Sequence, residues 1–240
     1  MACFRPLSAA LVLVFLAVVP GRGQTPADPS GHWEGKIQIP NHELAVAVDL
    51  AKTAAGEWIG SVSIPDSVTD VPLSDIAVNG QAVRFSAALP GKTTFDGSLS
   101  AASGVSGTVS NVEGGVPFQL TRAGDASVKL PPASSVLPKA FDGTWEGVVD
   151  KDGKSRRVLI RLWPAADGTA LAAVVAVDQG NLEIPVTTVT VHDNELALDV
   201  RAVSGTYRGT LGADGAITGE WREHSTRMAL TVRRSSHDAK

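Results

Sequence analysis

Apolar and polar side chains alternate along several short stretches of the chain, which is the pattern of a half-buried β-strand. Residues 44–50 and 158–162 are the clearest cases, with a large apolar residue at every second position. No stretch after the first 23 residues has a convincing helical period. The pattern therefore predicts an all-β protein.

Turn-forming residues divide the chain at intervals of about ten residues. Asn-Gly or Asp-Gly pairs, which suit the positive φ angles of tight hairpins, stand at 79–80, 167–168 and 214–215. The strands between the turns number about eight in each half of the chain. Consecutive hairpins form an antiparallel meander, which loses its exposed edges by closing into a barrel. An eight-stranded barrel is either filled by side chains or holds one small ligand.

The second half of the chain repeats the first at an offset of 112 residues, with one slip of a single residue near position 71. The matched pairs include Gly31/Gly143, Trp33/Trp145, Glu34/Glu146, Val48/Ile160, Phe95/Tyr207 and Arg122/Arg234. Two repeats are too few for a solenoid, in which each unit needs neighbours to bury its apolar face. We predict two tandem eight-stranded antiparallel up-and-down barrels.

These features divide the chain into four segments. We predict a signal peptide at 1–23, a first barrel repeat at 30–122, a linker at 123–140 and a second barrel repeat at 141–234. The linker is assigned from its prolines and serines and its shortage of apolar residues.

The first 23 residues have the organisation of a cleaved secretory signal. Arg5 precedes an apolar core at 7–19, and Gly21 and Gly23 are small residues at the positions that a signal peptidase reads. The alternative, a membrane anchor, needs a longer apolar stretch. Cleavage removes Cys3, the only cysteine, so we expect a mature protein without disulfides that is secreted or periplasmic.

Charge and composition exclude some partners. The net charge of −4 and the pI of about 5.7 argue against a nucleic-acid partner, because no basic patch is present to neutralise phosphates. An outer-membrane barrel is the alternative for a secreted protein with many strands, but the strands are short and aromatic girdles are missing. We therefore expect soluble barrels, with no transmembrane segment after signal cleavage.

Gly-x-Trp on the first strand, combined with an arginine on the last, resembles the lipocalin and calycin superfamily. The residues that carry this signature are Gly31, Trp33 and Arg122 in the first repeat and Gly143, Trp145 and Arg234 in the second. The resemblance implies that the tryptophan plugs the closed end of each barrel and that the arginine packs across it. A guanidinium group packs well on the face of an indole ring.

A closer resemblance is to the Trp-x-Gly β-domain that precedes the hydrolase domain of some secreted bacterial α/β-hydrolases. The matching pattern comprises Trp33-Glu34-Gly35, residues 60–66, Val71-Pro72-Leu73, Phe95-x-Gly97 and Leu120-Thr121-Arg122. This sequence contains no hydrolase domain after the repeats. The resemblance carries no catalytic residues for the β-domain, so it implies no activity.

The sequence holds no recognisable catalytic constellation. There is no Gly-x-Ser-x-Gly motif, and the five histidines form no pair with metal-ligand spacing, so we expect no metal site and no cofactor. Glu34 and Glu146 would suit acid–base catalysis only if they faced each other. Strand alternation points each of them away from its neighbouring tryptophan, where an ion pair is the expected role.

Three tryptophans have no counterpart in the other repeat and are the aromatic candidates for a ligand or partner rim: Trp58, Trp163 and Trp221. His224, in a charged hairpin, is a further candidate for this rim. Ala45, Ala47 and Ala51 form a row of small residues that leaves room on one face of a strand.

The sequence predicts a secreted, non-enzymatic binding module that holds a small apolar ligand in a barrel mouth or contacts a secreted protein. An accessory domain that docks on a separately encoded secreted hydrolase is the alternative. A hydrolase using Glu34 and Glu146, or His224, is the least favoured hypothesis. A ligand carrier needs a pocket of about 300 Å³ or more, whereas a docking domain needs filled barrels and an exposed apolar patch.

Overall fold

The computed structural model describes residues 28–100, 104–151 and 153–235. The predicted signal peptide, with Cys3, lies outside the described residues, as does His237. Strands form nearly all of the regular structure, and the described residues contain two short 3₁₀ turns, at Val177–Gln179 and Arg201–Val203. The prediction of an all-β protein is confirmed. None of the described residues belongs to a helix long and apolar enough to cross a membrane.

The first repeat forms a closed antiparallel barrel of eight strands. These are β1 (Gly31–Ile39), β2 (His42–Lys52), β3 (Trp58–Ile64), β4 (Val68–Asn79), β5 (Ala82–Ala87), β6 (Thr93–Leu99), β7 (Gly104–Asn111) and β8 (Gly114–Gly124). Because β1 pairs with both β2 and β8, every strand of this barrel has two neighbours and no edge is left for another chain to pair with.

The predicted alternation builds the core of this barrel. Val46, Val48 and Leu50 of β2 are all at most 3 % exposed. The alanine row at 45, 47 and 51 lies on the opposite, outer face of the strand. The space left by these alanines is therefore outside the barrel and does not enlarge its interior.

The second repeat forms one curled sheet of nine strands, one more than the sequence predicted. These are β9 (Gly143–Lys151), β10 (Lys154–Pro164), β11 (Ala170–Ala176), β12 (Leu182–Pro185), β13 (Thr188–His192), β14 (Glu195–Val200), β15 (Gly205–Leu211), β16 (Ala216–Glu223) and β17 (Thr226–Arg234). The order β12-β11-β10-β9-β17-β16-β15-β14-β13 is that of the first barrel, with its fourth strand divided into β12 and β13.

The two parts of the divided strand bond to different neighbours. The Val186 N–H donates to the Ala172 carbonyl of β11 at 3.2 Å, and the next N–H, of Thr187, donates to the Asp199 carbonyl of β14 at 2.8 Å. The chain thus crosses from one edge of the sheet to the other. This crossing brings β13 close to β11 and curls the sheet into an open half-barrel, which we call the second barrel.

Part of the predicted linker fills the space that opens between β11 and β13. The Ser135 N–H donates to the Val189 carbonyl at 2.9 Å, and the Ser135 carbonyl accepts from the Ala170 N–H at 2.8 Å. The Ser134 hydroxyl accepts from the Val189 N–H at 3.0 Å. This short segment satisfies backbone groups of both strands, so it is a structural part of the second barrel.

The two barrels contact each other around the 3₁₀ turn at Arg201–Val203. The Arg201 guanidinium donates to the Asp70 carbonyl of β4 at 2.7 Å and to the Lys129 carbonyl at 2.9 Å. Ala202 packs into the core of the first barrel and is 5 % exposed. A residue of the second repeat thus completes the core of the first.

Candidate ligand-binding cavity

A cavity of about 240 Å³ lies inside the second barrel. Its lining includes Val149 and Lys151, at the far end of β9 from Trp145, so it lies at the end opposite the predicted tryptophan plug. The apolar part of the wall includes inward-facing residues of β10, β11, β16 and β17: Ile160, Val174, Trp221, Met228 and Leu230. Pro90, from the turn between β5 and β6 of the first barrel, contributes to the lining.

The cavity is somewhat smaller than the 300 Å³ typical of drug-sized ligands. A cavity of about 150 Å³ holds benzene, so in proportion this one holds about ten non-hydrogen atoms. The size favours a short-chain or single-ring molecule.

Charged side chains surround the mouth of the cavity, and most of them are paired. The Lys151 ammonium donates to Glu223 Oε1 at 2.8 Å, with both side chains about one-third exposed or less. The Arg157 guanidinium binds Glu146 Oε1 at 3.0 Å, and the Arg157 N–H donates to Asp178 Oδ2 at 2.7 Å. The two ion pairs neutralise Lys151, Glu223, Arg157 and Glu146, whereas the Asp178 carboxylate is bonded to a backbone N–H.

Arg156 differs from the paired cations Lys151 and Arg157 of the cavity lining. Its Nε is buried and has no acceptor among the described residues. Arg156 lies on β10 two and four residues before Val158 and Ile160, so strand alternation places its side chain on the same cavity-facing side. A buried donor without an acceptor destabilises a fold by about 1–3 kcal/mol, which makes this arginine the least expected residue of the cavity wall.

A second depression, of about 500 Å³, lies on the outer face of β13–β16. Polar and charged residues dominate its lining, and two of them, Arg222 and Glu220, form an ion pair at 2.5 Å. It is a more open depression than the cavity inside the second barrel.

The four residues predicted to form a ligand or partner rim are not brought together. Trp221 is only 8 % exposed and lies in the wall of the cavity, where it is part of the core. Trp163 is 40 % exposed on the outside of the second barrel. Trp58 lies in the first barrel, with the Lys52 ammonium 4.7 Å from its ring centre. His224 lies between the barrels, where its Nε2 is 2.5 Å from the Asp66 carbonyl oxygen.

Arg156 was not among the site residues predicted from the sequence, although comparison of the two repeats singles out its position. At the offset of 112 residues it corresponds to Leu44, which packs against the core of the first barrel. A charged residue at a repeated apolar position indicates a change of role in one copy.

The Gly-x-Trp signature and its arginine have the same geometry in both barrels. The Arg122 guanidinium lies 4.8 Å from the Trp33 ring centre, and the corresponding distance from Arg234 to Trp145 is 4.6 Å. Each indole N–H donates at 2.9 Å to the carbonyl four residues earlier. The two glycines have positive φ angles of 150° and 120°, and a Cβ on either would lie within 2.8 Å of its arginine. The glycine of the motif is therefore required by the close approach of the arginine.

Glu34 and Glu146 occupy the same position in the two repeats. They lie in different barrels, and each forms an ordinary ion pair with a neighbouring side chain. Glu34 Oε1 is 3.3 Å from Nε2 of His32, and Glu146 binds Arg157. His32 also contacts Asp49 Oδ1 at 3.1 Å. Burial lowers the pKa of His32, but its hydrogen bonds to Asp49 and Glu34 outweigh burial and raise that pKa above the ordinary value.

Tyr207 shows how the core of the second barrel accommodates a polar group. Its hydroxyl lies 3.2 Å from the carbonyl oxygens of both Ile217 and Leu230, and burial raises its pKa to about 12. The described residues contain no cluster of three or more metal-ligating side chains.

Comparison with known proteins assigns no family. No family model matches the sequence, and no curated protein matches it. Among solved structures, one similar chain is a protein of unknown function of the DUF3598 family from Nostoc punctiforme, with 12 % identity over 86 % of this chain and 96 % of that one, and a TM-score of 0.29. Another is a candidate outer membrane protein from Bacteroides fragilis, with 12 % identity over 86 % and 97 % of the two chains and the same TM-score. Similarity at this level supports no conclusion about fold or function.

Proposed function

We propose that this protein is a secreted or periplasmic, non-enzymatic binding module whose second barrel holds a small, mainly apolar ligand. The observation that carries the proposal is the cavity of about 240 Å³, with an apolar wall and a charged mouth, at the end of the barrel opposite Trp145. Apolar cavities with a few polar groups are the usual form of small-molecule sites.

The expected affinity follows from the size of the cavity. Each buried methylene group contributes about 0.8 kcal/mol, so an eight-carbon chain gains about 6 kcal/mol before the loss of translational and rotational freedom is subtracted. A gain of about 6 kcal/mol corresponds to a dissociation constant of about 40 μM, so after that subtraction we expect dissociation constants in the millimolar range.

Two measurements test the proposal. Native mass spectrometry of the protein purified gently from its secreted source detects a bound small molecule that is lost on denaturation. Calorimetric titration of the mature protein with 1-octanol measures binding of a neutral apolar probe.

Variants that fill the cavity with a larger side chain test whether it is the binding site. Leu230→Phe places in the second barrel the residue that the first barrel has at Phe118, and we expect it to abolish octanol binding. The same exchange at Leu171, which is 43 % exposed on the outside of the barrel, is the control and leaves binding unchanged. Ala176→Ile fills the mouth instead and serves if Leu230→Phe does not fold. Octanol binding that survives both filling variants would contradict the proposed site.

The accessory-domain alternative rests on a different surface. Trp163 and Leu171 face each other across β10 and β11 and are both about two-fifths exposed. An exposed aromatic–aliphatic pair of this kind is typical of a protein contact. If the protein docks on a separately encoded hydrolase, the two co-purify from the secreted source, and Trp163→Ser releases the hydrolase while octanol binding is retained.

The hydrolase hypothesis receives the least support. Glu34 and Glu146 lie in different barrels, and each is paired with a neighbouring side chain. His224 contacts a backbone carbonyl between the barrels. The proposal therefore assigns these residues to stability and not to catalysis.

A further inference from the structure

We propose that the ligand of the second barrel is an anion: a small amphiphile whose carboxylate head binds Arg156 and whose apolar tail fills the cavity. This inference rests on the proposed function and specifies the chemical class of the ligand.

The first argument is the position of Arg156 in the repeat. In the first barrel the corresponding residue is Leu44, an apolar side chain packed against the core. In the second barrel the same inward position carries a guanidinium group at the wall of a cavity. The scaffold itself does not require a charge at this position, because the first copy closes its barrel without one.

The second argument is the missing acceptor. The buried Nε of Arg156 has no hydrogen-bond partner in the described parts of the chain, and no ion pair of Arg156 is found there either. An arginine presents its donors in a fixed planar fork that matches a carboxylate, so a carboxylate ligand would supply the acceptor that the protein does not.

The third argument is the pairing of the charged groups at the mouth. Five charged residues line the cavity, three positive (Lys151, Arg156 and Arg157) and two negative (Asp178 and Glu223). Lys151 is paired with Glu223, and Arg157 is paired with Glu146, which lies outside the lining. With Glu146 counted, the positive and negative charges are equal, 3 − 3 = 0, and Arg156 and Asp178 remain outside these two ion pairs. The Asp178 carboxylate accepts from the backbone N–H of Arg157. Arg156 is thus the cationic group of the lining that is left for the head group of an anionic ligand.

The dimensions agree with a short amphiphile. Arg156 lies toward the start of β10, near the mouth, and Ile160 lies deeper along the same face of the strand. A head group at Arg156 thus directs its tail toward Val174 and Leu230. Octanoate, with ten non-hydrogen atoms, matches the capacity of the cavity.

Three probes of equal chain length test the sign of the ligand charge: octanoate, 1-octanol and octylammonium. Each is titrated calorimetrically as a monomer into the mature protein at pH 7. A hydrogen bond to a charged group contributes about 1.5–3 kcal/mol, so octanoate is expected to bind roughly tenfold to a hundredfold more tightly than 1-octanol. Octylammonium is expected to bind more weakly than 1-octanol.

Arg156→Leu, which installs the residue of the first barrel, is expected to remove the preference for octanoate, so that octanoate binds no more tightly than 1-octanol. Arg161→Leu is the matched control, because it removes one positive charge from the same strand but on the outer face, where Arg161 pairs with Glu183. It is expected to retain the octanoate preference. Arg156→Lys keeps the charge and tests the role of the planar guanidinium if the leucine variant does not fold.

The outcomes separate this inference from the proposed function. Equal binding of octanoate and 1-octanol by the wild-type protein, or equal loss in the Arg156→Leu and Arg161→Leu variants, overturns the anion proposal and leaves the apolar cavity function standing. Failure of all three probes to bind overturns both.

Discussion

The two barrels come from one duplicated sequence, yet their interiors are filled differently. In the first barrel three phenylalanine rings meet at the centre, with ring centres 4.9 Å apart for Phe85 and Phe95 and 5.4 Å apart for Phe95 and Phe118. Strand pairing identifies their counterparts, because Phe85 faces Phe95 across β5 and β6 as Leu198 faces Tyr207 across β14 and β15. Leu230 corresponds to Phe118.

Three of the inward replacements put a smaller side chain in the second barrel than in the first. Two aromatic rings become leucines, and Ile64 of the first barrel is replaced by Ala176 in the lining of the cavity. Trp221, at the position of Val109, restores part of the lost volume. The difference teaches that a few inward residues, together with the division of the fourth strand, decide whether a cavity remains inside a barrel of this strand order.

The largest expected effect is a loss of stability when an aromatic ring is removed from the core of the first barrel. Phe95→Ala is predicted to lower the free energy of unfolding by about 3–5 kcal/mol, because it removes the central ring of the aromatic trio and leaves a cavity. Urea denaturation followed by circular dichroism measures the change. Asp96→Ala, at the exposed next position of β6, is the control and should change stability by no more than about 0.5 kcal/mol. A loss below about 1 kcal/mol for Phe95→Ala would show that the first barrel does not depend on these rings.

A smaller effect of opposite sign is expected in the second barrel. Arg156→Leu is predicted to stabilise the ligand-free protein by about 1–2 kcal/mol, because it removes a buried donor without an acceptor and adds apolar contact. Thermal or urea unfolding of the apo protein provides the measurement. Arg161→Leu breaks an exposed ion pair and should change stability by at most about 1 kcal/mol, in the destabilising direction. Destabilisation by Arg156→Leu would mean that the arginine has a structural role.

The smallest effect concerns pH and the first barrel alone. His32 corresponds to Thr144 in the second repeat, so only the first copy has a titratable group there. The folded protein raises the pKa of His32, so binding of the proton favours the folded state. This contribution is complete below the unfolded pKa of about 6.5 and is lost as the pH rises through the higher folded value.

We therefore expect the wild-type protein to lose stability, relative to His32→Thr, as the pH rises from the unfolded pKa of about 6.5 through the higher folded value. Unfolding measured in parallel for both proteins across that range isolates the contribution of His32. Identical pH profiles would show that its contacts with Asp49 and Glu34 contribute nothing to stability.

The sequence predicted the features that depend on local pattern. Alternation identified the buried row of β2. The resemblance carried by the Gly-x-Trp repeat implied that Arg122 and Arg234 pack on tryptophans, as they do in the structure. The sequence also placed Trp221 on a rim, but this side chain is buried in the wall of the second barrel. The period of two fixes which face of a strand is apolar, but it does not show where along that face the interior is open.

What the sequence determined by itself is the all-β class and the tandem duplication, because side-chain alternation, turn residues and the 112-residue repeat are properties of neighbouring or aligned positions. Only the tertiary structure decided that the fourth strand of the second repeat divides and that Ser134 and Ser135 of the predicted linker enter the gap. It also decided that Arg156 lies beside an apolar cavity without an acceptor. Each of these features depends on contacts between segments that are distant in the chain, and no local sequence pattern predicts which segments come into contact.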